Sequence, residues 1–182
     1  MRVIAGEYKG RRLASPKDAD IRPTTDKVKE AMFGSLHFDI RGANVLDAFA
    51  GSGALGIEAL SRGAAHVDFV EKNTQCLRIL NGNLRQIAKG ASYQVFKGDV
   101  LKIMPGLKRY DIMIIDPPYD SDIYIKVLEH AHISDILYSG CTIVMECRRK
   151  FDFILPVQYN FLKKRDYGDI SLWFLTYGER CE

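Results

Sequence analysis

Two stretches of the chain concentrate residues able to do chemistry. The first, Ile114-Ile-Asp-Pro-Pro-Tyr119, sets an acid, two prolines and an aromatic ring directly after an apolar run. The prolines remove two N–H donors and stiffen the exit from a buried strand, so the carbonyls near Asp116 and Pro117 face outward without competing amides. Asp116 and one such carbonyl can together accept both protons of a planar amino group, while Tyr119 offers a ring face for stacking. A nucleobase drawn out of its stack and read along its edge needs this set. A rigid turn alone would account for the prolines but for neither the acid nor the tyrosine.

The second stretch, Val45-Leu-Asp-Ala-Phe-Ala-Gly-Ser-Gly-Ala-Leu-Gly56, ends an apolar run at Asp47, turns on glycine and opens a helix near Ala54. Such a loop lets the backbone approach a ligand and offers it the free N–H groups of a helix start. Gly51, Gly53 and Gly56 satisfy G-x-G-x-x-G, and Glu71 follows Gly51 by twenty positions, which is dinucleotide spacing. A plain strand-to-helix turn has the same outline. A pyrophosphate on this loop would face the Asp47 carboxylate in a partly desolvated crevice, which is unfavourable. S-adenosylmethionine carries a sulfonium and an ammonium and no phosphate, so Asp47 favours it. Glu71 can accept both hydroxyls of a ribose. Asp99 can accept from an adenine amine while the Val100 N–H donates to a ring nitrogen. Asp47, Glu71, Asp99 and Asp116 end four apolar runs in turn, and open α/β sheets bind ligands outside the carboxyl ends of their strands.

The elements that must position these residues are legible in the alternation. Apolar runs at Ala43–Leu46, Val67–Val70, Tyr93–Phe96, Ile112–Ile115 and Thr142–Met145 are separated by helical spacing over 53–62, 73–88, 99–104 and, with a break, 122–138. Strands and helices in this order predict an α/β fold, a mostly parallel sheet covered on both faces. Tyr159–Lys164 and Ile170–Tyr177 flank a turn at Arg165–Asp169 and read as an antiparallel C-terminal hairpin. Residues 1–40 form an extension: a β-hairpin about Gly6–Gly10 with basic tips, then a helix beginning at Thr24 or Thr25. Residues 41–182 form the main domain.

A chain of 182 residues and 20.6 kDa, 47% apolar and 27% charged, has globular composition. Its mass implies roughly 8,900 Å² of folded surface against about 30,000 Å² unfolded, so a core forms without staples. The apolar runs are too short for a membrane span, and the first ten residues lack a signal peptide's apolar stretch, which points to the cytoplasm. Cys76, Cys141, Cys147 and Cys181 lack C-x-x-C spacing, and the four histidines lack ligand spacing, so buried free thiols and no metal are expected. Residues 1–29 carry eight basic and four acidic side chains and residues 148–165 six and one, whereas residues 100–140 carry four and six. Two basic ends about an acidic middle suit a polyanion docking beside a cationic or neutral site. Ordinary solvated surface is the alternative.

With these residues in view, the chain resembles class I S-adenosylmethionine-dependent methyltransferases, whose first motif is similar to the Asp47 loop. Asp116-Pro-Pro-Tyr119 resembles the motif of those enzymes that methylate exocyclic amines of bases. Across nearly its whole length the chain resembles the RsmD family, which methylates N2 of a guanine in bacterial small-subunit ribosomal RNA. Met1-Arg-Val-Ile-Ala-Gly, Gly10-Arg-Arg-Leu and Arg22-Pro-Thr-Thr-Asp-Lys-Val-Lys-Glu30 carry that likeness beside the two motifs above. The resemblance implies a Rossmann-like seven-stranded sheet and cofactor contacts from Asp47, Ala50, Gly51, Gly53, Glu71 and Asp99. It also implies target-amine contacts from Asp116 and Pro117, with Tyr119 stacking on the base. Arg2, Lys9, Arg11, Arg12 and Arg22 are expected to meet RNA, within an assembling or assembled small subunit, and the protein is expected to be a monomer. Open at this point are a DNA-adenine or other amine methyltransferase, an NAD-linked oxidoreductase and a non-catalytic RNA-binding module.

Overall fold

β-branched and aromatic residues crowd the strands Asn44–Asp47 (β1), His66–Glu71 (β2), Tyr93–Lys97 (β3), Tyr110–Ile115 (β4), Leu137–Arg148 (β5), Tyr159–Tyr167 (β6) and Ile170–Tyr177 (β7). The helices are Asp26–Ser35 (α1), Ala54–Ser61 (α2), Thr74–Ile87 (α3), Val100–Ile103 (α4) and Ser121–Ile133 (α5), with a 3₁₀ turn at Met104–Gly106. The computed structural model describes residues 1–16, 26–118 and 121–178; Tyr119, Arg22, Cys181 and the expected cap at Thr24 or Thr25 lie outside them.

The strands form one sheet in the order β3-β2-β1-β4-β5-β7-β6. β1 through β5 are parallel, and β7 runs antiparallel to both β5 and β6. From β1 the chain moves outward to β2 and β3, then returns to lay β4 on the other side of β1. That reversal opens a crevice at the carboxyl ends of β1 and β4. The pleat divides the core. Val45, Phe69, Ile112, Ile114 and Phe174 pack with residues of α1, α2 and α3, whereas Leu46, Met113, Ile115 and Trp173 pack with residues of α4 and α5. Asn73 caps α3, its Oδ1 accepting from the N–H groups of Gln75 at 2.8 Å and Cys76 at 3.1 Å.

Two expected boundaries move. The helical pattern extending to 138 stops at Ile133, because Asp135 turns the chain with φ 52° and Leu137 already belongs to a β5 that runs to Arg148. The C-terminal turn is shorter than Arg165–Asp169: β6 continues to Tyr167, and only Gly168 and Asp169 separate it from β7. Cys76, Cys141 and Cys147 are free and buried, the last two on β5, and burial pushes the Cys147 thiol up to about 12.

The N-terminal hairpin is present in its shortest form. One antiparallel bridge joins Arg2 to Arg12, and Val3 N–H donates to the Arg11 carbonyl at 3.0 Å. Gly10 and Leu13 N–H also bond across it, to the Val3 and Met1 carbonyls at 2.9 and 3.0 Å, and further donors go to α2. Ile4 and Ala5 N–H bond the Glu58 carboxylate at 2.8 and 3.0 Å, and Tyr8 N–H bonds Ser61 Oγ at 2.9 Å. From α3, Asn83 accepts the Ala14 N–H at 2.9 Å and donates to the Ser52 carbonyl at 2.8 Å. The extension is thereby tied to the loop after β1.

Candidate active site

Three of the four strand-end acids meet in one cleft, and the fourth stands behind it. A cleft of about 490 Å³ at the carboxyl edge of β1, β2, β3 and β4 is lined by Ala50, Gly51, Glu71, Asp99, Val100, Asp116 and Pro117. Asp47 and Gly53 are not on its wall. Asp47 is 1% exposed and stands behind the loop, and Gly53 caps α2 with φ 84°. Phe49, Lys72, Ile123 and Met1 also line the cleft, and sequence reasoning did not single them out. Met1 arrives there because the hairpin is strapped to α2.

The acids shape the glycine loop by claiming its amides. Asp47 Oδ2 accepts the Gly56 N–H at 2.9 Å, and Glu71 accepts from Gly51 N–H at 2.8 Å and Asn73 N–H at 2.6 Å. The Gly53 N–H is given to the Ala50 carbonyl at 2.7 Å. The donors that a pyrophosphate would need at the three glycines are therefore already engaged, two of them by carboxylates. This geometry disfavours a dinucleotide more firmly than the sequence does.

The third glycine answers a packing demand. A Cβ on Gly56 would stand 2.1 Å from Cε1 of Phe69, a ring with no exposed surface. Gly56→Ala is expected to cost about 1–3 kcal/mol through overpacking, measured as a lower midpoint in urea.

Asp47 adds to the charge of the cleft from behind the loop. Burial pushes its carboxyl up to about 7, the Asp116 and Glu71 carboxylates push the same way, and the Gly56 and Phe49 amides pull against them. Its Oδ1 is buried, with no partner within hydrogen-bonding geometry among the described residues. Glu71, Asp99 and Asp116 on the cleft wall, with Asp47 behind it, fit a cationic ligand, and S-adenosylmethionine meets that requirement. Asp99 is part-committed: its Oδ1 caps α4 by accepting the Leu101 N–H at 3.0 Å, and the residue faces the cleft beside Val100.

A pH dependence follows. Alone, the raised carboxyl makes the fold less stable as pH climbs from about 4 to about 7, because the folded chain holds the proton longer. A bound cation favours the carboxylate and lowers that pKa. Affinity for S-adenosylmethionine is therefore expected to rise between about pH 6 and pH 8, with proton release near pH 7. Calorimetry in two buffers of different ionisation enthalpy measures that release, and Asp47→Asn should abolish it.

Arg2, Lys9, Arg11 and Arg12 are exposed on the hairpin, next to the cleft through Met1. Arg2 pairs with Asp26 at 3.1 Å, and Arg11 reaches the Gln86 carbonyl at 3.4 Å.

A sheet ordered 3-2-1-4-5-7-6, with an acid-shaped glycine loop after β1 and an Asp-Pro-Pro exit from β4, defines a class I methyltransferase. Known proteins narrow the class. The model of the family described as "Conserved hypothetical protein 95" matches residues 1–176. Ribosomal RNA small subunit methyltransferase D of Haemophilus influenzae is 33% identical over 176 residues, covering 94% of this chain and 91% of that one. The solved structure of Escherichia coli yhhF, named a "putative methyltransferase", superposes with a TM-score of 0.87 at 28% identity, covering 99% of both chains. SMU.776, solved in complex with SAH, shares the fold at a TM-score of 0.64 and 15% identity, covering 82% of this chain and 49% of that one. The chain belongs to the RsmD family of methyltransferases.

Proposed function

We propose that this protein transfers a methyl group from S-adenosylmethionine to the exocyclic N2 amine of a guanine in small-subunit ribosomal RNA. One observation carries the reading: Asp116 and Pro117, at the exit of β4, line the same cleft as Gly51, Glu71 and Asp99. An amino group held by the first pair is thus brought beside a ligand held by the others. Relatives over nearly the whole chain that bear a ribosomal RNA methyltransferase name support the substrate.

Glu71 would take the ribose hydroxyls with the lone pairs left by Gly51 and Asn73, Asp99 and Val100 the adenine edge, and the acid cluster the cationic end. The cofactor supplies an electrophilic methyl group. The guanine amine is a poor nucleophile, because its lone pair is conjugated into the ring. Hydrogen bonds from its two N–H groups to Asp116 and to the Pro117 carbonyl favour pyramidal nitrogen and offset the positive charge that grows there. The proton leaves the methylated amine afterwards, without a strong general base. Alignment within the cleft supplies the remaining acceleration.

Mass spectrometry of small-subunit ribosomal RNA from cells lacking the protein tests the assignment, with one N2-methylguanine expected to be missing. Purified protein should methylate ribosomal RNA when RNA, DNA and protein are offered side by side. Methylation of DNA adenine alone would overturn the reading.

A further inference from the structure

The basic stretch 148–165, remote in sequence from the N-terminal hairpin, folds against the exit of β4. Ile115 pairs with Met145, so Arg148, Arg149 and Lys150 emerge from β5 at the edge where Asp116 emerges from β4. The chain then packs on α5, the helix that follows the Asp-Pro-Pro motif: Phe151 and Phe153 lie 6.3 and 5.1 Å from the Tyr124 ring. The aromatic series continues outward, Phe153 to Trp173 at 5.2 Å and Trp173 to Phe161 at 5.5 Å. Lys164 stands over the Trp173 ring at 5.0 Å, and Arg165 follows it, exposed, on the edge strand β6. Three strand spacings separate β6 from β4, roughly 14 Å. That span is within reach of nucleotides flanking a base held at Asp116.

The composition of this edge fits nucleic acid. Among residues 148–165 six are basic and only Asp152 is acidic; Arg149 is paired, at 3.1 Å, with Asp166 just beyond. Apolar surface lies between the charges: Phe161 is 50% exposed, and Ile154 and Val157 almost fully. Lysines on an edge strand also block strand-to-strand aggregation. That need would not place an exposed aromatic among them, whereas unpaired RNA uses cations for its phosphates and aromatic faces for its bases.

We infer that the edge formed by Arg148–Lys150 and Phe161–Arg165 is a second RNA-docking surface, which holds the unpaired nucleotides next to the target on the side of the cleft opposite β3. It works with the N-terminal hairpin and rests on the RNA methyltransferase reading above.

The test is equilibrium binding of naked small-subunit ribosomal RNA across a salt series, by the wild-type chain, a Lys164→Glu/Arg165→Glu variant and a Phe161→Ala variant. The charge variant is expected to bind at least tenfold more weakly, with a log–log salt slope smaller by about two, one for each phosphate that is no longer neutralised. Phe161→Ala is expected to weaken binding at least fivefold with the slope unchanged, as loss of stacking does. Affinity for S-adenosylhomocysteine should stay at the wild-type value in both. Wild-type RNA affinity and slope in both variants would remove the surface while wild-type methylation of the RNA upheld the enzyme's substrate. A defect on subunit particles with naked-RNA binding intact would assign the edge to a ribosomal protein and overturn the inference. Absence of methylation and binding by the wild-type chain on naked RNA and on small-subunit particles alike would fell the substrate reading, and the surface with it.

Discussion

Asp116→Ala is expected to lower turnover roughly 10²-fold or more, about 2.7 kcal/mol of transition-state stabilisation, with little change in cofactor affinity. Asp116 lines the cleft, and the amides of Gly51, Gly53 and Gly56 are bonded by Glu71, the Ala50 carbonyl and Asp47, so its removal leaves those loop bonds intact. Its loss also relieves one of the two carboxylates that press on Asp47. Apparent affinity for a cationic ligand then reflects two small opposing effects. Attraction weakens by one charge, while Asp47 ionises more readily. Asp116→Asn separates electrostatics from shape, since it keeps an acceptor oxygen but loses the charge that offsets the amine, and should fall between alanine and wild type. Single-turnover rates at saturating S-adenosylmethionine and RNA make the measurement. A wild-type rate in the alanine variant would take Asp116 out of the chemistry.

Much of this site is legible in the sequence alone. Four acids at four strand ends form a pattern of position, and the parallel sheet converts position along the chain into convergence in space. Asp116, Glu71, Asp99 and the glycine loop accordingly stand together. On sequence Asp47 is expected to face a ligand in the crevice, and its place behind the wall, with its Oδ2 on the Gly56 amide, is not visible in a motif. A motif shows that a carboxylate ends a strand, not which face of the loop its oxygens bond. The long β5 is partly hidden because Ser139 and Gly140 interrupt the alternation at its start and read as a loop; pairing with β4 and β7 overrides that local weakness. Asn83 and Ser61, which join the extension to the main domain, leave no readable trace, since a polar residue on a helix is usually solvated. Glu58 does leave one. It lies in a helix with no polar face, Ala54-Leu-Gly-Ile-Glu-Ala-Leu60, and every residue of α2 is buried. A charge in such a helix needs a buried partner.

Removing that charge is expected to produce the largest loss of stability. Glu58 has no exposed side-chain surface and binds four groups: the N–H of Ile4 and of Ala5, Arg62 Nε at 2.9 Å and Lys29 Nζ at 3.4 Å. Lys29 is as deeply buried; burial pulls its pKa down, and the Glu58 charge opposes that pull. In Glu58→Ala the ammonium loses its buried counter-ion and keeps the Arg2 carbonyl at 2.5 Å and the weaker pull of the Asp26 carboxylate, and two hairpin amides lose their acceptor. Stranding a buried charge costs about 3–5 kcal/mol, or a fall in Tm of roughly 6–20 °C at this chain length. A Lys29→Met/Glu58→Leu double variant removes both charges together and should lose much less than the sum of the single losses, because the pair's desolvation is also relieved. The hairpin would still lack its acceptor in that double variant. RNA affinity is therefore expected to stay low even where the melting temperature recovers, which separates the extension's role in docking from its contribution to the fold. Urea unfolding of wild type, Lys29→Met, Glu58→Leu and the double variant closes the cycle, and a Glu58→Ala chain within about 1 kcal/mol of wild type, below the cost of a stranded charge, would show that this network is not what pins the extension.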